Sequence, residues 1–319
     1  MILDTLLCHV AKWYWDTEVA ELLIPLLDHF LCCQMQKQTN QSSEEVVWNI
    51  LALCTGMRPV VMVDYGGKMP ELQEHLLSVL QLSQKESSAL RPLRIMVIDD
   101  MIYLIHVNGL AEYVKSSLNS EVELLFVDLE RDPPKMVLQS EQNLNATELV
   151  SVQRFFSTVF PADARDKELF PCPRIDHVGN DKSPIGEIIT PQSSSDIIDL
   201  SSCMQDYQVT IPTLNGWLLG YPVVYLFGKE HISDAIYNLS TKSLHLFQIL
   251  IRRFVSFLFL PSKHPIVFSV PYNLSMGGKN EPWAEAFLAR MLAKLETCKL
   301  VWTSLQMEVS ECYPQAIVL

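Results

Sequence analysis

Apolar residues recur along this chain in two rhythms. Near the N-terminus they fall at helical spacing. Leu3, Leu6, Leu7, Val10 and Tyr14 make one stripe, and Leu22, Leu23, Leu26, Leu27 and Phe30 a second, interrupted at Pro25. Ser42 and Glu45 form a capping box that predicts a helix over 43–55. From residue 60 onward, short apolar runs of strand length take over at 60–63, 94–98, 101–107, 122–127, 223–227, 244–251, 265–270, 300–309 and 316–319. Helical spacing returns between them, at 70–80, 109–118, 149–159, 232–238 and 282–297, with Asn145 and Glu148 reading as a second capping pair and Pro282 as a first-turn proline. The pair Asp99-Asp100 breaks one long apolar stretch, either as a tight hairpin or as a bend in one strand.

One phrase occurs twice. Gly56-Met-Arg-Pro59-Val-Val and Gly220-Tyr-Pro222-Val-Val each follow a helical stretch. The glycines suit the left-handed turn that ends a helix, and the prolines push the chain extended into a buried strand. The phrase marks two equivalent helix-to-strand junctions, as in two related halves. Strands alternating with helices predict an α/β protein, with a mixed, mostly parallel central sheet flanked by helices. The chain divides into an N-terminal helical segment (1–40), a first α/β half (41–160), a Ser-, Pro- and Asp-rich linker or insertion (161–208) and a second α/β half (209–319) packed with the first as one domain.

Composition narrows the class. Across 319 residues, 49% are hydrophobic and 19% charged, which is material for a core, and the net charge is −13. No cluster of Lys and Arg stands out to track phosphates, so nucleic acid is not an expected partner. The longest apolar run, 244–260, is broken by Gln248, Arg252 and Arg253 and predicts no membrane span. The eight cysteines include no C-x-x-C pair, and the N-terminus lacks a basic n-region. Both fit a reducing compartment, cytoplasmic or nuclear. The four Asn-x-Ser/Thr matches, at Asn40, Asn145, Asn238 and Asn273, are then chance occurrences.

Asp-Tyr-Gly at 64–66, Phe-Val-Asp at 126–128, Gly-Trp-Leu-Leu-Gly-Tyr-Pro-Val-Val-Tyr at 216–225 and Phe-Ser-Val-Pro at 268–271 occur in this order. The set is similar to an uncharacterised animal family named only after an open reading frame on human chromosome 1. The resemblance covers residues 40–319, with the linker variable. It implies unknown function and brings no catalytic residues or cofactor with it.

Two constellations could carry chemistry. Asp64, Asp99, Asp100 and Asp128 each end a predicted strand. If those strands are parallel neighbours, their carboxylates converge where α/β sheets hold ligands, and a Mg²⁺ held there would serve a phosphate-ester or nucleotide hydrolase. Against this, Asp ends strands because it favours turns. In the linker, Ile197-Ile198-Asp199-Leu200 flanked by serines is similar to SUMO-interacting motifs, which add a strand to a partner's sheet. The alternative is a short strand on the protein's own core. The eight histidines show no zinc spacing, no P-loop or G-x-S-x-G is present, and Met276-Gly277-Gly278-Lys279 reads as an ordinary turn. No cofactor is evident, and the leading expectation is a binding protein without a catalytic motif.

Overall fold

The computed structural model describes residues 43–63, 69–137, 143–162, 196–253, 264–277, 281–299 and 301–317. The first half runs α1 (Ser43–Cys54), β1 (Val60–Met62), α2 (Glu71–Glu86), β2 (Leu93–Ile98), β3 (Met101–His106), α3 (Val107–Leu118) and β4 (Leu125–Asp128). After β5 (Lys135–Val137), α4 (Leu144–Val159), β6 (Ile197–Asp199) and α5 (Ser201–Met204), the second half runs α6 (Ile211–Leu218), β7 (Val223–Leu226), α7 (Ile232–Thr241), β8 (Leu244–Arg253), β9 (His264–Pro271), α8 (Pro282–Thr297) and β10 (Trp302–Cys312). The order α-β-α-β-β-α-β is therefore written twice. In each copy the second and third strands form an antiparallel hairpin. The third strand also lies beside the first: β3 pairs with β1, and Tyr225 of β7 donates its hydroxyl to the Ser269 carbonyl of β9 at 2.8 Å.

The repeated glycines do the same work. Gly56 and Gly220 take φ values of 68° and 74°. At the second copy, Gly220 N–H bonds Trp217 O and Tyr221 N–H bonds Gly216 O, the paired bonds of a Schellman cap. At the first, the Gly56 carbonyl accepts from Lys294 Nζ at 2.7 Å, and burial lowers that ammonium to about 8. The two phrases also meet: a Cβ built on Gly220 would stand 2.9 Å from Pro59 Cδ.

Strand order is β1-β3-β2-β6 in one sheet, β5-β4-β7 in a second and β10-β8-β9 in a third. Among the described residues, only β2–β6 and β4–β7 are parallel. The expected mostly parallel sheet is thus corrected to mixed and antiparallel sheets. The cause is local: Asp99, at φ 52°, turns the chain back on itself, so the Asp99-Asp100 break is a hairpin. Each Val-Val pair points one side chain to either side. Val61 and Val223 enter one core with α1, α2, α8 and the inner face of β8–β9. Val60 and Val224 enter another with α3, α4 and α6. Both cores draw on both halves. Across the first, Trp302 of β10 donates to Thr55 Oγ1 at 3.0 Å and meets Trp48 edge-on at 5.7 Å.

Three further expectations change. Residues 196–204, assigned to the linker, are folded, with Ile198, Leu200 and Met204 buried. The cap of α4 is Asn143, which accepts from the Ala146 N–H, while Asn145 donates to Glu130 Oε1. Residues 313–317 form no strand, so the expected closing strand at 316–319 is absent as far as it is described. The expected N-terminal helices lie outside the described residues. Among the described residues, no helix is long and apolar enough to cross a membrane.

Helix α3 carries a titratable cap. His106 Nδ1 accepts from the Gly109 N–H at 3.1 Å, which requires that nitrogen unprotonated. Burial pulls the imidazole below its ordinary value. The folded state then binds fewer protons than the unfolded one, so this contribution is complete above about pH 6.5 and declines as pH falls through the lowered value. Urea midpoints at pH 7.5 and pH 5 should differ more for the native chain than for His106→Asn, which caps without titrating. Equal differences would show that His106 does not titrate as described.

Candidate functional site

At one end of the third sheet, the start of β8, the end of β9 and the end of β10 enclose an open pocket of about 350 Å³. Its walls are His245, Tyr272, Val309, Ser310, Glu311 and the loop Ser275–Gly277. The loop is held by a buried acid. Glu281, 3% exposed, precedes the first turn of α8 and accepts at Oε1 from Ser275 Oγ (2.9 Å) and Met276 N–H (3.0 Å) and at Oε2 from Trp283 Nε1 (2.8 Å). Gly277 N–H donates in turn to Ser275 Oγ, and the left-handed Gly277 (φ 70°) lies against the imidazole of His245. A carboxylate buried behind a loop in this way fixes the wall before any ligand arrives.

His245 stands on the core-facing side of β8, in register with Glu311 of β10 and Val270 of β9. Its ring is 7% exposed and lies 4.4 Å from that of Tyr272. Its Nδ1 is buried with no hydrogen-bond partner among the described residues. The pocket therefore joins an imidazole whose buried Nδ1 is unsatisfied, one aromatic side chain and one acid. The loop amides of Met276 and Gly277 are already occupied, so neither is free to stabilise an oxyanion.

The carboxylates singled out by sequence lie elsewhere. Asp99 and Asp100 form the exposed β2–β3 turn, where Asp99 N–H donates to Ser201 Oγ. Asp128 ends β4 on another sheet, 5% exposed. Its Oδ1 accepts from the Glu130 N–H at 2.9 Å, and its Oδ2 pairs with Arg131 Nε at 3.1 Å. That geometry is a turn held by its own acid. Asp64 lies outside the described residues. Among the described residues, no three His, Cys, Asp or Glu side chains are placed to hold a metal ion.

The Ile197-Ile198-Asp199-Leu200 segment augments the chain's own sheet. Ile197–Asp199 runs parallel to Ile95–Val97 of β2, Ile198 and Leu200 are buried, and Asp199 accepts from the N–H and Oγ of Ser201. Two of the side chains that a partner's pockets would take, Ile198 and Leu200, are already in the core, and Ile197 is half-buried. Of the glycosylation matches, Asn238 is 1% exposed and donates to the carbonyls of Leu129 and Arg131. Among the cysteines, burial pushes the Cys54 thiol up to about 12, far from a thiolate nucleophile.

His245 escaped sequence reading because a lone histidine in Leu-His-Leu-Phe matches no ligand spacing. The one available signal was the glycine pair after Met276, beside a carboxylate at a helix start.

No curated protein and no solved structure matches the chain. Residues 29–319 match a family described only as a domain of unknown function (DUF4504), in keeping with the uncharacterised family expected from the phrases at 64–66, 126–128, 216–225 and 268–271. The chain belongs to this DUF4504 family.

Proposed function

We propose that the protein works by binding, holding a hydrogen-bonding group of its ligand against His245 in the pocket closed off by Glu281. The observation that carries this reading is the unpaired Nδ1 of a histidine that is 7% exposed and lines an open pocket. A buried polar atom without a partner costs about 1–3 kcal/mol, and a bound group that pairs with Nδ1 after a turn of the imidazole ring recovers that penalty. Preformed walls with a few convergent polar groups are what ligand sites share. Glu311 and the Tyr272 face favour a ligand that donates hydrogen bonds or carries positive charge.

Imidazole ¹⁵N shifts of the full chain, titrated with methylguanidinium and with acetamide, test this. The His245 signals should move saturably with at least one probe, more strongly with methylguanidinium. His245→Phe should abolish the response while melting within a few degrees of the native chain. No saturable change with either probe at millimolar concentration overturns the reading.

A further inference from the structure

We infer that two copies of this chain join edge to edge along β10, in antiparallel register centred on Met307, and so continue the third sheet from one copy into the other. The inference does not rest on the pocket reading, although Val309 and Ser310 belong to both surfaces. Strand β10 runs from Trp302 to Cys312 and, among the described residues, pairs only with β8. The edge strands β1, β5 and β6 have three residues each. Long edges normally carry Lys, Pro or a bulge that blocks pairing with a second chain. Residues 304–312 contain no Lys, Pro or Gly, and their pairing with β8 is regular from Ser304 onward.

The side-chain pattern is self-complementary. Leu305, Met307 and Val309 face the core but are only half-buried, so an apolar row ends uncovered at the sheet edge. Ser304, Gln306, Glu308 and Ser310 face outward and are exposed. Centring on Met307 sets Met307 against its own copy and Leu305 against Val309, which covers the row. It also sets Gln306 against Glu308 and Ser304 against Ser310. Placing the centre midway between two residues sets core-facing side chains beside outward ones. Centring on Glu308 opposes two carboxylates, and centring on Gln306 leaves Val309 against Thr303. Charge agrees as well. Exposed Arg252 lies across from Ser304 on β8, and the two small serines leave its guanidinium open towards the copy's Glu308, one diagonal away.

Cysteine scanning of the full chain reads the register directly. In a facing antiparallel pair the Cα atoms stand about 4.5–5.5 Å apart, within reach of a disulfide. Met307→Cys should form a covalent dimer on air oxidation, well above the background set by the native cysteines, and Leu305→Cys should not. The native chain should sediment as a dimer at tens of micromolar, and Met307→Lys as a monomer with an unchanged circular dichroism spectrum. A native chain that sediments as a monomer overturns the inference, including the case where another segment of the same chain covers β10. Equal cross-linking of Leu305→Cys and Met307→Cys overturns it too.

Discussion

Replacing Trp217 with alanine should cost about 3–5 kcal/mol of unfolding free energy, the range for deleting a fully buried large aromatic. Trp217 is 0% exposed and sits where α6 of the second half meets α3 and α4. Its ring meets Phe156 edge-on at 5.2 Å and stacks on Tyr113 at 6.0 Å. Its Nε1 donates to Ser117 Oγ at 3.2 Å, and its carbonyl accepts from the Tyr113 hydroxyl at 2.7 Å. The side chain thus ties the later half of the chain to two helices made earlier, and truncation leaves a cavity and takes one hydrogen bond from Ser117. Urea denaturation would read the loss as a lower midpoint with little change in slope. Trp217→Phe should lose less, since a ring still fills most of the space. A loss below about 1 kcal/mol for Trp217→Ala would show that the surrounding helices close over the gap, against the rigid packing described.

Gly220→Ala should cost about 2–4 kcal/mol, an unusual penalty for adding one methyl group. Two terms combine. A φ of 74° is strained for any L side chain, by roughly 1–2 kcal/mol. The new Cβ would also stand 2.9 Å from Pro59 Cδ and 3.0 Å from Pro59 Cγ. A proline ring cannot swing aside as a lysine tip can, so the backbone must shift. A double-mutant cycle separates the terms: in a Pro59→Ala background the steric term should vanish and only the backbone term remain. If the cost of Gly220→Ala is the same in both backgrounds, the two repeated phrases are not in contact as described.

The parts of the fold legible in sequence were those set by neighbours a few residues away. The glycine turns, the Val-Val strands and the helix over 282–297 depend on local sterics and periodicity. Strand direction did not follow, because a run buried on both faces, such as Leu93–Ile98, looks the same whichever way its neighbours point. The Ile197–Asp199 strand was hidden by its polar flanks, although the alternative of a strand on the protein's own core was visible in its β-branched residues. Asn145 lost the capping role to Asn143 because Glu130, distant in sequence, engages its amide. The pocket was less legible still. His245, Glu281 and Glu311 come together only through the β8–β10 register and the loop over Gly277, and no spacing rule encodes that meeting.

The parallel pairing of β4 with β7 sets Leu125 against Val223 and Asp128 against Leu226. A ribosome makes these partners far apart in time. The first half can close the β2–β3 hairpin early, because its contacts are local. Until residue 226 has emerged, however, β4 lacks its parallel neighbour and α3 and α4 lack Trp217 between them. The nascent first half must therefore wait, with one strand edge and one helical groove uncovered, for the second copy of the phrase to arrive and seal both.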